Sequence, residues 1–308
     1  MPEIALALSY IVRADEWPLV AALAESLARQ DVSDGIELLV VSRREIEVPA
    51  AAPAPPVRVM VDPTPDSWAA SLARGVSESA AEFVALGETH VLLSPAWASG
   101  ALALHRAGAD VVLPLMVNGN PGSALSEAAF AMDYGRWTGG GREASGVPLY
   151  NASFRRSLLA ADDGSLVETL SPGPAVEAFV RSQGAVIVSE PQQAAAVAHL
   201  NVARPFPWID ERFSGGFVMA THRCRGWSAW RRLLFAAAFP AIAVTLLVRG
   251  RRALRPGVVR GSLAALAAGS LLYAVGEACG YLRLSAASAE ARMERYEMHK
   301  RLYVGGAR

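Results

Sequence analysis

The stretch Ile-Glu-Leu-Leu-Val-Val at residues 36–41 decides the fold, because it is a short apolar run followed at once by polar residues. A run of this length, rich in β-branched side chains, is typical of a buried strand. It is preceded by another apolar run at Ile4–Leu8, expected to end at Ser9, and by helical spacing of apolar residues over Pro18–Arg29. The order strand, helix, strand predicts a β-α-β unit.

The same alternation continues along the chain. Further strands are predicted at Val57–Val61, Phe83–Leu86, Ala109–Leu113 and Ala185–Val188, and further helices over Ser67–Ala81, around Trp97 and Leu102, and over Ala175–Gln183. This alternation indicates an α/β domain with a mostly parallel, Rossmann-like sheet and nucleotide-binding topology. From about Asn118 to Tyr150 the apolar spacing breaks, which predicts a substrate-facing loop region.

Composition narrows the class of partners. The 29 basic and 29 acidic residues balance, so no overall charge favours nucleic acid. The two cysteines, Cys224 and Cys279, lie far apart without the spacing of a zinc site, which indicates a reducing compartment. The start, Met1-Pro2-Glu3, has no basic region followed by an apolar run, so we expect the N-terminal domain to stay in the cytoplasm.

The last third of the chain is apolar enough for a bilayer. Leu233–Val248 has no charge but contains Pro240, and Ser262–Leu282 carries one ionisable residue, Glu277. The link between the two runs holds five arginines, which would oppose the positive-inside rule if both runs crossed the membrane. We therefore expect an interfacial or re-entrant hairpin on the cytoplasmic face of the inner membrane, with a buried helical pair in a soluble domain as the alternative. The expected headgroup anchors are Arg225, Trp227, Trp230, Arg231 and Arg232.

Three segments follow from these patterns. Residues 1–225 are the predicted α/β domain, and residues 226–284 are the membrane-associated helical hairpin, whether interfacial, re-entrant or transmembrane. Residues 285–308 are a charged helix or tail, expected to be a solvated face.

Short motifs occur in a fixed order along the chain. They are Leu-Ala-Arg-Gln at 27–30, Glu-Leu-Leu-Val-Val at 37–41, Ala-Arg-Gly at 73–75, Pro-Ala-Trp at 95–97, Asn-Gly-Asn-Pro at 118–121, Tyr-Gly-Arg-Trp at 134–137, Pro-Leu-Tyr-Asn-Ala-Ser-Phe-Arg-Arg at 148–156, His-Leu-Asn at 199–201 and Val-Gly-Glu-Ala-Cys-Gly-Tyr at 275–281. In this order they resemble the inverting glycosyltransferases of family 2, including bacterial membrane-bound members. The resemblance implies the GT-A fold, the α/β fold of nucleotide-diphospho-sugar transferases, followed here by an apolar helical hairpin.

The resemblance also implies a divalent cation, normally held by an Asp-x-Asp motif after the fourth strand, where it neutralises the diphosphate of the donor. Here that position reads Gly87-Glu88-Thr89-His90. Glu88 and His90 are the predicted metal ligands, with His199 as a third, and this mixed set favours Mn²⁺ over Mg²⁺. A solvated loop pair and a structural His199 are the alternatives.

The expected donor site lies at the carboxyl edge of the sheet. Ser9 and Arg13 would line the nucleotide crevice there, together with Glu88. Ser42 stands where family members commonly carry an acidic residue for the base, and its hydroxyl can still form a hydrogen bond. Arg74 is the predicted diphosphate ligand, because guanidinium binds phosphate bidentately; a helix-surface arginine is the alternative.

An inverting transfer needs a general base for the acceptor hydroxyl. Glu177 matches the family's location best, with Glu168 as the fallback, and a solvated helix glutamate is the alternative reading of Glu177. The predicted acceptor-binding residues are Asn118, Asn120, Trp137, Asn151, Arg155 and Arg156. Among these, Trp137 would stack on a sugar, and the two arginines would bind an acceptor phosphate.

The resulting expectation is a membrane-associated glycosyltransferase that moves a sugar from a nucleotide-diphosphate donor to a membrane-proximal acceptor, such as a lipid-linked glycan of cell-envelope polysaccharide synthesis. The alternative is a degenerate relative that binds a nucleotide sugar or glycan, or scaffolds an assembly complex, without catalysis. An unrelated α/β domain joined to a membrane segment is the third interpretation.

Overall fold

The structure is a computed structural model that describes residues 6–32, 35–50, 56–64, 67–138, 146–160, 166–171, 175–254, 257–283, 285 and 287–305. Within these ranges the strands are β1 (Leu8–Arg13), β2 (Ile36–Ser42), β3 (Val57–Val61), β4 (Phe83–Leu86), β5 (Val91–Leu93), β6 (Val111–Leu113), β7 (Met116–Asn118), β8 (Ser153–Arg155), β9 (Ile187–Ser189) and β10 (Val197–His199). The α-helices are α1 (Trp17–Ala28), α2 (Trp68–Glu78), α3 (Trp97–Arg106), α4 (Ala124–Asp133), α5 (Arg156–Ala160), α6 (Leu166–Thr169), α7 (Ala175–Ser182), α8 (Pro205–Arg223), α9 (Ala229–Ala237), α10 (Phe239–Ala253), α11 (Ser262–Leu282) and α12 (Ala287–His299).

A seven-stranded sheet organises the first part of the chain. Its strand order is β3-β2-β1-β4-β8-β6-β9, and a three-stranded sheet has the order β5-β10-β7. The pairs of β1 with β2, β1 with β4, and β2 with β3 are parallel, whereas β8 runs antiparallel to both β4 and β6. The predicted α/β class is therefore confirmed, with a mixed sheet whose first half is parallel.

The first strand lies further along the chain than expected. Residues 6 and 7 are outside the strands, residues 4 and 5 lie outside the described part, and β1 runs from Leu8 to Arg13, so the predicted end at Ser9 is wrong. The strand can continue through two polar residues because each has a buried partner. Ser9 donates its hydroxyl to Glu37, and Tyr10 donates its hydroxyl to Asn151.

The predicted loop over 118–150 is wrong in its first half. α4 begins after Ser123, whose hydroxyl accepts a hydrogen bond from the Leu125 amide at 3.3 Å, and a 3₁₀ turn follows at Gly135–Trp137. The Gly- and Asn-rich motif that suggested a loop lies before this helix, whose own sequence is mostly Ala, Leu and Met. Residues 139–145 of the predicted loop lie outside the described part.

Two compact units divide the chain. The first comprises residues 1–117 and 139–198 and contains the seven-stranded sheet; the second comprises 118–138 and 199–308 and is helical. The predicted boundary at 225 differs from this division, since α8 and α4 belong with the C-terminal helices. α8 was not expected, because its buried face carries Glu211 and Arg212 and therefore shows no clear apolar period.

The second unit is built around the contact of α8 with α11. A Cβ atom on Gly216 would lie 2.1 Å from the Tyr273 carbonyl oxygen, and one on Gly276 would lie 2.1 Å from the Phe213 carbonyl oxygen. The two backbones therefore approach so closely that only glycine fits at either position. Glu277 is buried in this contact and accepts hydrogen bonds from the Arg223 guanidinium at 3.0 and 3.1 Å.

The charged tail is not simply a solvated face. α12 packs on α8, where Asp210 accepts hydrogen bonds from Arg292 at 2.9 Å and from Tyr296 at 2.7 Å. Lys300 is 4% exposed and lies 3.2 Å from Glu211. Burial would raise the pKa of Glu211, but the neighbouring cations outweigh it and lower this pKa. The expectation of a solvated face is therefore wrong for the end of the tail.

The predicted apolar runs fall on three helices: α11 has the predicted bounds Ser262–Leu282, whereas the run Leu233–Val248 is divided between α9 and α10. Within the described residues, α11 is long and apolar enough to cross a membrane, and α9 with α10 forms a second candidate bent by 58°. The bend lies beside Pro240, which cannot continue a helical hydrogen-bond ladder. Length and composition alone do not separate a membrane helix from the core helix of a soluble protein.

Candidate metal and donor site

Polar side chains gather at the carboxyl ends of the parallel strands. β1, β2 and β4 are neighbours, and the register pairs Arg13 with Val41 and Ile11 with Leu86. Arg13 and Ser42 end β1 and β2, and the Gly87-Glu88 turn follows β4, so all three lie at one edge of the sheet. This edge is the usual ligand crevice of an open α/β sheet.

Glu88 is held at this edge by Asn151. The carboxylate is 3% exposed, and the Asn151 side-chain amide donates to its Oε2 atom at 2.6 Å. Asn151 has a φ of 65°, in the left-handed region that Asn tolerates better than most residues. Its backbone amide donates to the Leu86 carbonyl at 2.6 Å, so Asn151 is fixed to the end of β4.

Tyr10 supports this contact from β1. Its hydroxyl donates to the Asn151 Oδ1 atom at 2.9 Å, and its ring fills the space where a Gly87 Cβ would stand, 1.9 Å from the Tyr10 Cε1 atom. Burial and, to a smaller extent, Glu88 raise the pKa of Tyr10, so the hydroxyl stays protonated and donates. A hydrogen-bond chain thus runs from Tyr10 through Asn151 to Glu88. In the sequence, the feature that points to this hydrogen-bond chain is a tyrosine, Tyr10, within the mostly apolar strand β1.

Both predicted histidine ligands are buried. The His90 Nε2 atom lies 3.5 Å from the Glu88 Oε1 atom. The His199 Nδ1 atom lies 2.8 Å from the Asn201 Oδ1 atom, and the Asn201 amide nitrogen donates to Asn118 and to the His199 carbonyl. Since the amide nitrogen is occupied by two acceptors, Oδ1 faces the ring and Nδ1 carries the proton. Nε2 of His199 is then the unprotonated ring nitrogen, a tautomer choice typical of metal-binding histidines.

The predicted metal ligands Glu88 and His90 come together in the sheet unit, where both side chains are buried. His199 is the last residue of β10, and Glu88 and His90 lie in the turn between β4 and β5. A carboxylate and an imidazole fit a divalent cation and suit Mn²⁺ better than Mg²⁺, which prefers oxygen ligands. Glu88 and His90 therefore form a pair that can contribute to a divalent-cation site, for which His199 stays the predicted third ligand.

Two predicted acceptor residues belong to a network of amides in the helical unit. Asn118 accepts from Asn201 at 2.9 Å, and Asn120 exchanges hydrogen bonds with the Asn201 backbone at 2.8 and 2.9 Å. Both also accept from the Ser126 hydroxyl. Their side chains therefore orient Asn201 and, through it, His199. Trp137 lies 6.2 Å from Tyr134, measured between ring centroids.

The predicted donor residues have different surroundings. Ser9 is the second residue of β1, and its partner Glu37 also accepts two hydrogen bonds from Arg58, so the Ser9 hydroxyl is used within the sheet. Arg13 is fully buried, with its guanidinium 5.8 Å from the Trp68 ring centroid.

At the end of β2, the Ser42 hydroxyl lies 3.4 Å from the Asp15 carboxylate, which also accepts from the Arg43 amide at 2.9 Å. Asp15 was missed because it sits in an ordinary polar turn after β1. It supplies a carboxylate next to Ser42 at this edge of the sheet.

The other predicted arginines are engaged with acidic or carbonyl groups. Arg74 pairs with Asp62 at 3.1 Å and with Glu78 at 3.0 Å. Arg155 pairs with Glu82 and Asp110, and Arg156 donates to the Ala81 carbonyl. Arg155 is opposite Phe83, the first residue of β4, whereas Glu88 follows the last residue of that strand. The structure therefore does not bring Arg155 and Arg156 together with Glu88.

The two candidate bases lie on short helices of the first unit. Glu177, on α7, pairs with Arg181 one turn away at 2.9 Å, and Glu168, on α6, is exposed. This ion pair, between residues one helical turn apart, stabilises the helix by a few tenths of a kcal/mol. Neither residue has a contact within the described part that links it to Glu88.

No protein-family model matches the chain, and no curated protein matches it. Three solved structures show what it is similar to. A mannosyltransferase from Pyrobaculum calidifontis, in complex with GDP-Man and Mn²⁺, is 14% identical with a TM-score of 0.48, over 95% of this chain and 87% of that one. S. aureus TarS, residues 1–349, is 15% identical with a TM-score of 0.42, over 94% and 91%. Glucosyl-3-phosphoglycerate synthase from Mycobacterium tuberculosis, in complex with Mn²⁺, UDP-Glc and phosphoglyceric acid, is 14% identical with a TM-score of 0.41, over 63% and 72%.

These likenesses concern the fold alone. The expected α/β class is confirmed by the sheet itself: the chain has an α/β fold with a mixed sheet, followed by an apolar helix near the C-terminus.

Proposed function

We propose that this protein is a glycosyltransferase of the family 2 type, which moves a sugar from a nucleotide-diphosphate donor to a membrane-proximal acceptor with inversion. The observation that carries the proposal is the buried pair of Glu88 and His90, with the His90 Nε2 atom 3.5 Å from the Glu88 Oε1 atom. Glu88 and His90 follow β4 at the carboxyl edge of the sheet, where β1 and β2 also end. The ordered motifs that resemble family 2 enzymes agree with this placement.

The residues around Glu88 and His90 would have separate roles in donor binding. A divalent cation would be held by Glu88, His90 and His199 and would stabilise the negative charge of the leaving diphosphate. Tyr10 and Asn151 fix the orientation of Glu88, and Asn201 fixes the tautomer of His199. Asp15 and Ser42, at the ends of β1 and β2, would form hydrogen bonds with the nucleoside.

Membrane proximity is supported by the surface of the helical unit. Trp230, Leu233 and Leu234 on α9 are 74%, 52% and 54% exposed, an unusual concentration of apolar side chains on one face of a helix. Exposed arginines lie on the same segment, including Arg225 and Arg231. An apolar stripe flanked by arginines suits the cytoplasmic surface of the inner membrane, where a lipid-linked glycan acceptor would be presented.

Inversion requires a base on the acceptor side of the sugar. Glu177, with Glu168 as the fallback, stays the proposed base. The Gly87-Glu88-Thr89-His90 sequence in place of an Asp-x-Asp motif favours a second candidate function, a protein that binds a nucleotide sugar or glycan and lacks transfer activity. The two candidates share the donor site and differ in the chemical step.

Calorimetric titration of the detergent-solubilised protein with UDP and with GDP, each with and without Mn²⁺, tests the donor site. We expect binding of one nucleotide that depends on Mn²⁺ and weakens by about tenfold or more in Glu88→Gln and His90→Ala, since each variant removes a metal ligand or a charge beside it. Glu25→Gln is the matched control, because Glu25 is exposed on α1. Metal-independent binding, or no binding by folded protein, would contradict the donor-site assignment.

Nucleotide release from the matching nucleotide sugar separates the two candidates. A transferase should release nucleotide diphosphate in the presence of membrane lipid extract and should lose this turnover, but keep nucleotide binding, in Glu177→Gln or Glu168→Gln. A binding protein should bind the donor in every case without turnover above the uncatalysed rate.

A further inference from the structure

A polar cavity lies in the helical unit, apart from the residues of the donor site. Its volume is about 410 Å³, and it is lined at the end of α8 and the starts of α9 and α12. The lining side chains that matter for its chemistry are Thr221, Arg225, Trp227, Arg232, Ser285 and Glu290. A cavity of this size can hold a phosphate-bearing headgroup.

The cavity presents positive charge. The Arg232 guanidinium donates to two backbone carbonyls, those of Tyr281 at 2.9 Å and Arg283 at 2.6 Å. These acceptors are neutral, so they fix the guanidinium in place and do not neutralise its positive charge. Arg225 follows α8 in a turn that Gly226 makes possible with its φ of +75°. Within the described part of the chain, the Arg225 guanidinium contacts no carboxylate.

The one acidic side chain in the lining has a partner of its own. Glu290 accepts a hydrogen bond from the His222 Nε2 atom at 2.7 Å. α12 begins at Ala287, which also lines the cavity, and the start of a helix favours an anion. Two arginines and a helix start therefore face the cavity, and they outweigh one carboxylate already bound by an imidazole. This lining favours a ligand that is an anion with several acceptor oxygens.

An apolar stripe begins beside the cavity. α9 starts two residues after Trp227, and Trp230, Leu233 and Leu234 lie three and four residues apart on one exposed face. Leu282, at the end of α11, is 60% exposed. Arg231 lies 3.9 Å from the Trp227 ring centroid, so a cation also covers the aromatic wall of the cavity. An anion that arrives with acyl chains would match both features, whereas a free phosphate would leave the stripe in water.

We propose that this cavity binds the phosphate group of a membrane lipid, with the acyl chains of that lipid against the exposed face of α9. Arg225 and Arg232 bind the phosphate oxygens, and Trp227 forms the wall next to the acyl region. The proposal gives the membrane contact of the proposed function a defined binding site. It does not involve the donor-site residues, so the two can fail separately.

The test is co-sedimentation of the full chain with vesicles of phosphatidylcholine alone and of phosphatidylcholine mixed with phosphatidic acid, without nucleotide. The proposal predicts stronger binding to the vesicles that contain phosphatidic acid. Arg225→Gln should reduce this gain by about tenfold or more, because it removes charge-assisted hydrogen bonds. Arg251→Gln, an exposed arginine of α10 outside the cavity, is the matched control and should cost at most about fivefold, the effect of one charge near an anionic surface.

Titration calorimetry with short-chain phosphatidic acid and with inorganic phosphate identifies the source of the phosphate. Tighter binding of the lipid, lost in Arg225→Gln, supports the proposal; equal binding of the two ligands would show a site for soluble phosphate and overturn the lipid assignment. Equal losses in Arg225→Gln and Arg251→Gln would overturn it as well, since they would show a diffuse surface charge. Circular dichroism and Mn²⁺-dependent nucleotide binding of each variant report whether its fold and donor site are intact.

Discussion

Glu88 in the sheet unit and Glu277 in the helical unit are both glutamates with almost no exposed surface, at 3% and 2%. Glu277 accepts two hydrogen bonds from a permanent cation, Arg223, and lies 3.3 Å from the Tyr281 hydroxyl. Glu88 accepts a hydrogen bond from a neutral amide, Asn151, and lies 3.5 Å from an imidazole, His90. The same side chain is buried in two different electrostatic settings.

The difference separates a structural charge from a candidate ligand. An arginine that binds a buried carboxylate compensates its desolvation and ties two helices together, so the pair contributes to the stability and register of α8 and α11. An amide that donates to a carboxylate and an imidazole beside it orient that carboxylate, as the outer partners of a metal ligand do. The comparison therefore predicts that changes around Glu277 act on folding, and that changes around Glu88 act on metal binding.

The largest effect is expected when the Glu277 carboxylate loses its cation. Arg223→Met should lower the free energy of unfolding by about 3–5 kcal/mol, because it leaves a buried charge without compensation. Glu277→Gln should cost less, since Arg223 is 38% exposed and its charge can be solvated. Urea unfolding of both variants in one detergent measures the difference.

The double variant Arg223→Met/Glu277→Leu serves as the control for this pair. It removes both charges, so its loss of stability should be smaller than that of Arg223→Met alone. If the single and double variants were equally destabilised, the pair would not stabilise the helical unit, and the contrast with Glu88 would be lost.

The fold was most predictable where local sequence and burial agree. Val57–Val61, Phe83–Leu86 and Ser262–Leu282 have the predicted bounds, because each is a mostly apolar run bounded by polar, Gly or Pro residues. α8 could not be recognised, since the burial of its charges depends on partners elsewhere, such as Lys300 for Glu211. The antiparallel direction of β8 also depends on tertiary pairing and has no local signal.

The candidate site was also predictable where local sequence carries the information and not where it depends on distant partners. Glu88 and His90 could be proposed because they directly follow a strand that ends at the ligand edge of the sheet. Asn151 could be singled out only as part of a motif, since its link to Tyr10 spans 141 residues of sequence. The role of Asn201 depends on the amide network that fixes the tautomer of His199, and a network of this kind is visible only in three dimensions.

A smaller effect on folding is expected from the backbone contact between α8 and α11. Gly216→Ala should lower the free energy of unfolding by about 1–3 kcal/mol, because its methyl group would meet the Tyr273 carbonyl at 2.1 Å. Gly215→Ala is the matched control on the same helix, where the nearest atom lies at 3.5 Å. It should be neutral or stabilise by up to about 1 kcal/mol through helix propensity. Equal effects of the two variants in urea unfolding would argue against a close contact at Gly216. Both variants should leave Mn²⁺ affinity unchanged.

An effect no larger in free energy is expected around Glu88, and it should appear in metal binding. Asn151→Gly keeps the left-handed backbone accessible and removes the amide that holds Glu88, so Mn²⁺ affinity should fall by about tenfold to a hundredfold. Tyr10→Phe removes only the hydroxyl that orients Asn151 and should cause a smaller loss. Titration of each folded variant with Mn²⁺, followed by electron paramagnetic resonance, measures the affinity.

Ser153→Ala is the control for these two variants, because it removes a buried hydrogen bond from the same segment that involves His105 and not Glu88. Its Mn²⁺ affinity should stay within about twofold of the parent protein, as expected for a residue outside the shell around the ligands. A loss in Ser153→Ala as large as that in Asn151→Gly would mean that the whole segment shifts. Asn151 would then act on the metal through general packing, and the distinction between an oriented Glu88 and a structural Glu277 would have to rest on charge alone.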